Sequence, residues 1–204
     1  MAEGDRDQAD DPLAAVPDWD DDYIDRVSDR LLHSYDLERD RTVRGRRFSL
    51  YGRLEIQSHK QFFHPSVTYA DHETTEHLFV TRESAISVAG LERLAALGDE
   101  LAEAWIDPDA EHFGTEFVFG VVAPEIPDEV RTFVSGFESR TLIKYGYHGH
   151  YAVRLFVVAP EQTDAVASPS TDVLQAFRLW DDAEQSREPT GVLDRLRAVF
   201  SRRS

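Results

Sequence analysis

The side chains most suited to chemistry lie on one face of a predicted strand, residues 48–57, in which apolar and polar residues alternate. The apolar face is expected to enter the core, and the polar face is expected to stay open. Two histidines on neighbouring predicted strands are expected to point the same way. Since no complete catalytic motif accompanies this surface, it predicts a non-enzymatic domain that binds a ligand or a partner. The residues assigned to the surface are Tyr51, Arg53, Glu55, His64 and His77.

A metal-dependent hydrolase acting on a phosphodiester is the alternative interpretation of the same region. Carboxylates and neutral imidazoles that converge on one point can hold a metal ion or act as general acid and base. The catalytic cluster would be drawn from Glu55, His64, Asp71 and His77. The sequence contains no HExxH motif or comparable ligand spacing. The leading interpretation therefore assigns no catalytic residue and no metal ligand.

The predicted order helix, three strands, helix, strand over residues 19–122 resembles the core order of the restriction-endonuclease-like nucleases. That resemblance implies an acidic residue on the second strand and a Glu-x-Lys motif on the third. Here the second strand offers only Asp71, at its end, and the third reads Glu76-His77-Leu78 without the lysine. The order of elements is similar, but the motif is not, and no catalytic residue is carried over.

Residues 39–47 form a basic island, predicted to be a loop, in an otherwise acidic chain. Arg44, Arg46 and Arg47 are its candidates for phosphate binding, because planar guanidinium groups match phosphate oxygens in pairs. The same arginines can instead pair with the surrounding Asp and Glu. Phosphate contacts weaken steeply in concentrated salt, so nucleic acid is possible here but not the favoured partner.

The stretch Val-Val-Ala-Pro-Glu occurs twice, at residues 121–125 and 157–161, and each copy ends a buried apolar strand. If these strands are parallel, Glu125 and Glu161 lie at one edge of the sheet, where ligands often bind. The two carboxylates could then share a metal ion or act as an acid–base pair. The plainer interpretation, which we favour, is that Ala-Pro-Glu only ends each strand.

Hydrophobic periodicity and turn residues predict the elements that would position these groups. The predicted fold is α+β, with one mixed sheet of five to six strands and helices packed against it, in the order α-β-β-β-α-β-α-β-β-α plus a tail helix. The strands are predicted at 48–57, 62–70, 77–82, 117–122, 141–147 and 150–159. The helices are predicted at 19–35, 87–106, 128–137, 171–180 and 192–200.

Length and composition set the domain organisation. Of 204 residues, 1–17 are predicted to be a disordered acidic segment, 18–180 a single domain, and 181–204 a polar linker with a short basic amphipathic helix. The chain has 39 acidic residues against 22 Lys and Arg, a net charge of −17, and no cysteine. Such acidity is typical of proteins that work in concentrated salt. A cytoplasmic protein is expected, because there is no signal sequence and no apolar run of the roughly 20 residues that a membrane span needs.

A family resemblance is carried by several local stretches of the sequence. Among them are Asp21-Asp22-Tyr23-Ile24, Tyr51-Gly52-Arg53-Leu54-Glu55, Phe63-His64-Pro65 and Tyr147-His148-Gly149-His150. Over residues 19–180 the chain resembles an uncharacterised family of small acidic proteins from halophilic archaea. The resemblance implies the source and the cytosolic setting, and it implies no activity and no site residue. No cofactor is indicated, and the partner is expected to be an unknown protein or small molecule.

Overall fold

The computed structural model describes residues 19–59, 71–107 and 112–181. The predicted α+β class with one mixed sheet is confirmed, and the sheet has seven strands in this part of the chain. In chain order the elements are α1 (Asp22–Leu31), β1 (Asp36–Val43), β2 (Arg46–His59), β3 (Asp71–Arg82), α2 (Val88–Trp105), β4 (His112–Val122), α3 (Asp128–Ser135), β5 (Ser139–Leu142), β6 (His150–Ala159), β7 (Asp164–Ala167) and α4 (Leu174–Phe177). The predicted segment 1–17, the strand at 62–70 and the tail helix at 192–200 lie outside the described residues.

The middle of the sheet is parallel. The strand order is β1-β2-β3-β4-β6-β5, with β7 also paired to β6. Strands β3, β4 and β6 run parallel, whereas β2 is antiparallel to both of its neighbours. Each parallel step needs a crossover, and α2 supplies the first and α3 the second. Strands β5 and β7 pair with opposite halves of β6, antiparallel to it.

Both faces of the sheet are covered, which gives two hydrophobic cores. On one face lie α2 and α3, whose buried residues include Leu94 and Val130. On the other face lie α1 and α4, represented by Ile24 and Phe177. This double covering explains why β4 and β6 read as nearly continuous apolar runs, as is typical of parallel strands buried on both sides.

The N-terminal hairpin differs from its prediction. Residues 39–47 were expected to be a loop, but most of them belong to β1 and β2, which form a hairpin around Arg44 and Gly45. Both turn residues have positive φ, 49° and 80°, as the two central residues of a type I′ turn do. Strand β1 lies at the edge of the sheet and exposes most of its charged residues, so it lacks the apolar pattern that marks an inner strand.

Two other boundaries also changed. Residues 71–76 were predicted to be a turn, but they begin β3 and pair with β2 in an antiparallel ladder. The predicted helix over 171–180 is interrupted: α4 ends at Phe177, Arg178 is not helical, and residues 179–181 are helical again. The predicted hairpin near the C-terminus is present as β5 and β6, with a shorter first arm.

Glycine at position 120 is required by close packing between neighbouring strands. A Cβ on Gly120 would lie 2.1 Å from Cζ of Phe156, whose ring is fully buried against Phe177. We therefore expect Gly120→Ala to lower the free energy of unfolding by about 1–3 kcal/mol, as overpacking of a core does. Urea unfolding measures this difference.

Gly136→Ala is the matched control. There the added methyl group would meet only the Thr132 carbonyl oxygen, at 3.5 Å, and φ is negative, −97°. Its effect on stability should be small. Equal destabilisation by the two substitutions would contradict this account of the sheet packing.

Candidate functional site

An open cleft of about 610 Å³ lies between the β1–β2 turn, the loop after β3 and the start of α2. It sits beyond the C-terminal end of β3, the position at which open sheets commonly bind ligands. Its lining brings together Arg44, Arg46 and Arg47 with a further arginine that sequence reasoning missed, Arg93 of α2. The remaining lining residues are Gly45, Glu83, Ala85, Ile86, Ser87, Gly90 and Leu94.

Two of these arginines are held in place by carboxylates. Arg46 contacts Glu83 at 2.9 Å, and Arg47 contacts Asp40 at 2.8 Å. The hydrogen bond from Arg47 is the largest influence on Asp40 and lowers the pKa of that carboxyl group. Asp40 has φ of 55°, an unfavourable backbone conformation for a residue inside a strand. These pairs fix the directions of the two guanidinium groups before any ligand arrives.

The other two arginines are not compensated in this way. Neither Arg44 nor Arg93 forms an ion pair with any residue in the described ranges 19–59, 71–107 and 112–181, and both are exposed. A Cβ built on Gly90 would lie 3.9 Å from Nη2 of Arg93, which places that guanidinium group beside the first turn of α2. The cleft therefore holds positive charge that the neighbouring carboxylates do not neutralise.

The N-terminus of α2 adds to this positive potential. Ser87 caps the helix, and its side chain accepts a hydrogen bond from the Gly90 N–H at 3.2 Å. The aligned peptide dipoles of a helix place a partial positive charge at its N-terminus. The first turn of α2 contains no acidic residue that would offset this charge. Guanidinium groups and helix dipole thus favour an anion at the same place.

The polar surface predicted on β2 is only partly open. Tyr51 is buried, and its hydroxyl shares a 2.8 Å hydrogen bond with Nδ1 of His77. The His77 ring stacks on Phe117 and meets the edge of Trp105. Burial, assisted by Arg53 and Arg41, lowers the pKa of His77 to about 4, so that the imidazole is neutral at neutral pH.

Beside this aromatic cluster, Arg53 and Glu55 are about half exposed and form an ion pair with each other. The structure therefore places Tyr51, Arg53, Glu55 and His77 on one face, as predicted, but with their polar groups already engaged in pairs. Arg41, which was not predicted, covers the Tyr51 ring at 4.0 Å. His64 lies outside the described residues, so its membership of this surface stays a prediction.

The residues of the alternative hydrolase cluster have separate partners. Glu55 pairs with Arg53, and His77 pairs with Tyr51. Asp71 is the first residue of β3, but its side chain lies outside the described part of the structure. His64 lies wholly outside the described residues. Among the described side chains, no group of three or more His, Asp or Glu residues is arranged to hold a metal ion.

The two Ala-Pro-Glu segments end adjacent strands. Because β4 and β6 are parallel neighbours, Glu125 and Glu161 both come just after the C-terminal ends of these strands, at the same end of the sheet. Both glutamates are exposed. The Ala123 N–H donates to the Val158 carbonyl at 2.9 Å, which extends the β4–β6 ladder to the point at which β4 ends. This arrangement fits the role of ending each strand.

A polar cluster that sequence reasoning missed lies on the α1 side of the sheet. Glu76 and Glu116 are directly paired positions of the parallel strands β3 and β4. The Tyr35 hydroxyl donates to Glu76 Oε1 at 2.6 Å, and Arg154 lies 3.7 Å from Glu116. Burial is the largest cause of a raised pKa at Glu76, and the charges of Glu116 and Asp172 add to it.

The chain belongs to a family defined by a domain of unknown function, DUF8052, which matches residues 20–179. No curated protein and no solved structure matches the chain. In the described part, no helix is long and apolar enough to cross a membrane. The family assignment covers the whole sheet and carries no activity, so the function must be inferred from the geometry above.

Replacing Glu76 by Gln tests the half-buried carboxylate pair of Glu76 and Glu116. Because the pKa of Glu76 is raised in the folded state, its protonated form is the one that folding favours. Its stabilising contribution is present below the ordinary pKa of Glu, about 4.3, and is lost as pH rises through the raised value. We expect Glu76→Gln to unfold at a higher temperature than wild type at pH 7–8, with a difference that shrinks toward pH 4.

Glu92→Gln removes the same charge from an exposed position on α2 and serves as the control. It should show no comparable dependence of the melting-temperature difference on pH. If Glu76→Gln is less stable than wild type at neutral pH, the ionised Glu76 stabilises the fold and this interpretation is wrong.

Proposed function

We propose that this protein is a non-enzymatic binding domain whose ligand is an anion held in the arginine cleft, lined by Arg44, Arg46, Arg47 and Arg93. The observation that carries the proposal is the accumulation of four arginines around one cleft in a chain of net charge −17. In so acidic a protein, a concentration of cations that is only partly neutralised needs an explanation, and binding an anion supplies one.

The geometry supports binding through preorganisation. Arg46 and Arg47 are already oriented by Glu83 and Asp40, so less side-chain freedom is lost when a ligand binds. Arg44 and Arg93 approach from opposite walls, the hairpin turn and the helix. Guanidinium groups donate hydrogen bonds in pairs to phosphate or carboxylate oxygens, which adds direction to the attraction.

The predicted surface on β2 is a weaker candidate for the ligand-binding site. Its polar groups bond to one another, and the ring of His77 is packed among aromatic side chains. It stays a prediction, as does the hydrolase alternative. The halophilic source also stays a prediction, for which the support is the net charge of −17, and the cytoplasmic setting stays a prediction as well.

Titration with sulfate by isothermal calorimetry tests the cleft. The wild-type chain should bind one sulfate, and the double variant Arg44→Ala/Arg93→Ala should bind at least about tenfold more weakly, equivalent to about 1.4 kcal/mol. Both positions are exposed, so the fold should survive, and circular dichroism in the same potassium chloride buffer checks this.

Two controls locate the site. Arg140→Ala removes an exposed guanidinium group from β5, which lies at the opposite end of the strand order from β1. This substitution should leave sulfate binding unchanged. Arg53→Ala removes one from the predicted β2 surface and should also have little effect. Loss of binding in Arg53→Ala but not in the cleft variant would contradict the proposal and favour the β2 surface.

A further inference from the structure

The charge balance of the cleft selects among anions. Arg46 and Arg47 each have a carboxylate partner, whereas Arg44 and Arg93 have none among the described residues. Within the described part of the chain, two guanidinium charges are therefore left for the ligand to neutralise. A dianion matches this excess, and a monoanion leaves one positive charge unmatched.

The shape of the cleft bears on ligand size. Its volume of about 610 Å³ falls within the range typical of small-molecule sites, roughly 300–1,000 Å³, and far exceeds what a bare phosphate fills. Ile86, which is partly exposed, contributes apolar surface next to the arginines. An anionic head with a small organic body therefore fits better than an inorganic ion alone.

We propose, building on the proposed function, that the ligand is a small molecule that carries a terminal phosphate monoester and binds as the dianion. A nucleic-acid backbone fits less well, since each internal phosphodiester bears a single charge. A long polyanion would also have to pass over the surface of a chain whose net charge is −17. The excess of two charges, the helix N-terminus and the cleft volume all favour the monoester.

If the ligand is a phosphate monoester, its affinity should depend on pH because the ligand itself titrates. A phosphate monoester loses its second proton with a pKa of about 6, so at pH 5 only about a tenth is dianionic. Among the residues that the structure describes, the charged side chains lining the cleft are Arg44, Arg46, Arg47, Arg93 and Glu83, with Asp40 behind Arg47, and none of these is a histidine. The arginines stay protonated throughout this range.

Calorimetric titration with three small probes tests the inference: methyl phosphate, dimethyl phosphate and sulfate. At pH 7.5 methyl phosphate should bind about tenfold or more tightly than dimethyl phosphate. Methyl phosphate should also weaken by about tenfold between pH 7.5 and pH 5, while sulfate, a dianion at both values, should change by less than about twofold. Phenyl phosphate, which adds an organic body, should bind at least as tightly as methyl phosphate.

The variant Arg93→Gln gives a further check. It leaves one unmatched guanidinium group, so the preference for methyl phosphate over dimethyl phosphate should shrink, whereas Arg140→Gln should preserve it. Equal affinities for the monoester and the diester in the wild type, or weaker binding of phenyl phosphate, would overturn the inference while leaving anion binding in place. If neither sulfate nor any phosphate probe binds, the proposed function itself fails.

Discussion

The parallel strands β3, β4 and β6 are covered by helices on both faces, and this constraint organises the rest of the molecule. A chain that leaves the end of one parallel strand must cross over the sheet before the next strand begins. The crossover after β3 brings the N-terminus of α2 to the same end of the sheet as the β1–β2 turn. Because most of both faces is covered by apolar side chains, the ends of the strands are where an open polar cleft can form. The arginine cleft is one such strand end.

The balance of charge distinguishes this strand end from the middle of the same strands. Around the cleft, arginines outnumber the carboxylates that face them. In the middle of β3 and β4, Glu76 and Glu116 are neighbours, and Arg154 approaches Glu116. The protein therefore concentrates positive charge beside a helix N-terminus, where it reinforces the dipole. The half-buried carboxylate pair lies elsewhere, where a tyrosine hydroxyl and an arginine reduce the free-energy cost of its burial.

The elements that sequence patterns predicted well are those with a strong apolar signal. The leucine stripe of α2 and the continuous apolar run of β4 were placed to within a few residues. Strand β1 was missed because an edge strand with mostly charged, exposed side chains has no such pattern. The Arg44-Gly45 pair was the available signal, since a glycine after a residue that can take positive φ is typical of a two-residue hairpin turn.

The candidate site was predictable only in part, for a related reason. Arg44, Arg46 and Arg47 stood out as a basic island, but Arg93 lies almost fifty residues away, and only the crossover brings it to them. Likewise, the pairing of Glu76 with Glu116 depends on the register of parallel strands that are not consecutive hairpin arms. Local sequence cannot reveal such contacts, because it contains no information on how distant segments are aligned.

Amide chemical-shift mapping during a sulfate titration tests the central claim most directly, because it shows where an anion binds without altering the chain. The account predicts that the largest changes fall on the β1–β2 turn, residues 44–47, and on the start of α2, residues 87–93. Changes centred on Arg53 and His77, or none above those caused by potassium chloride, would contradict it.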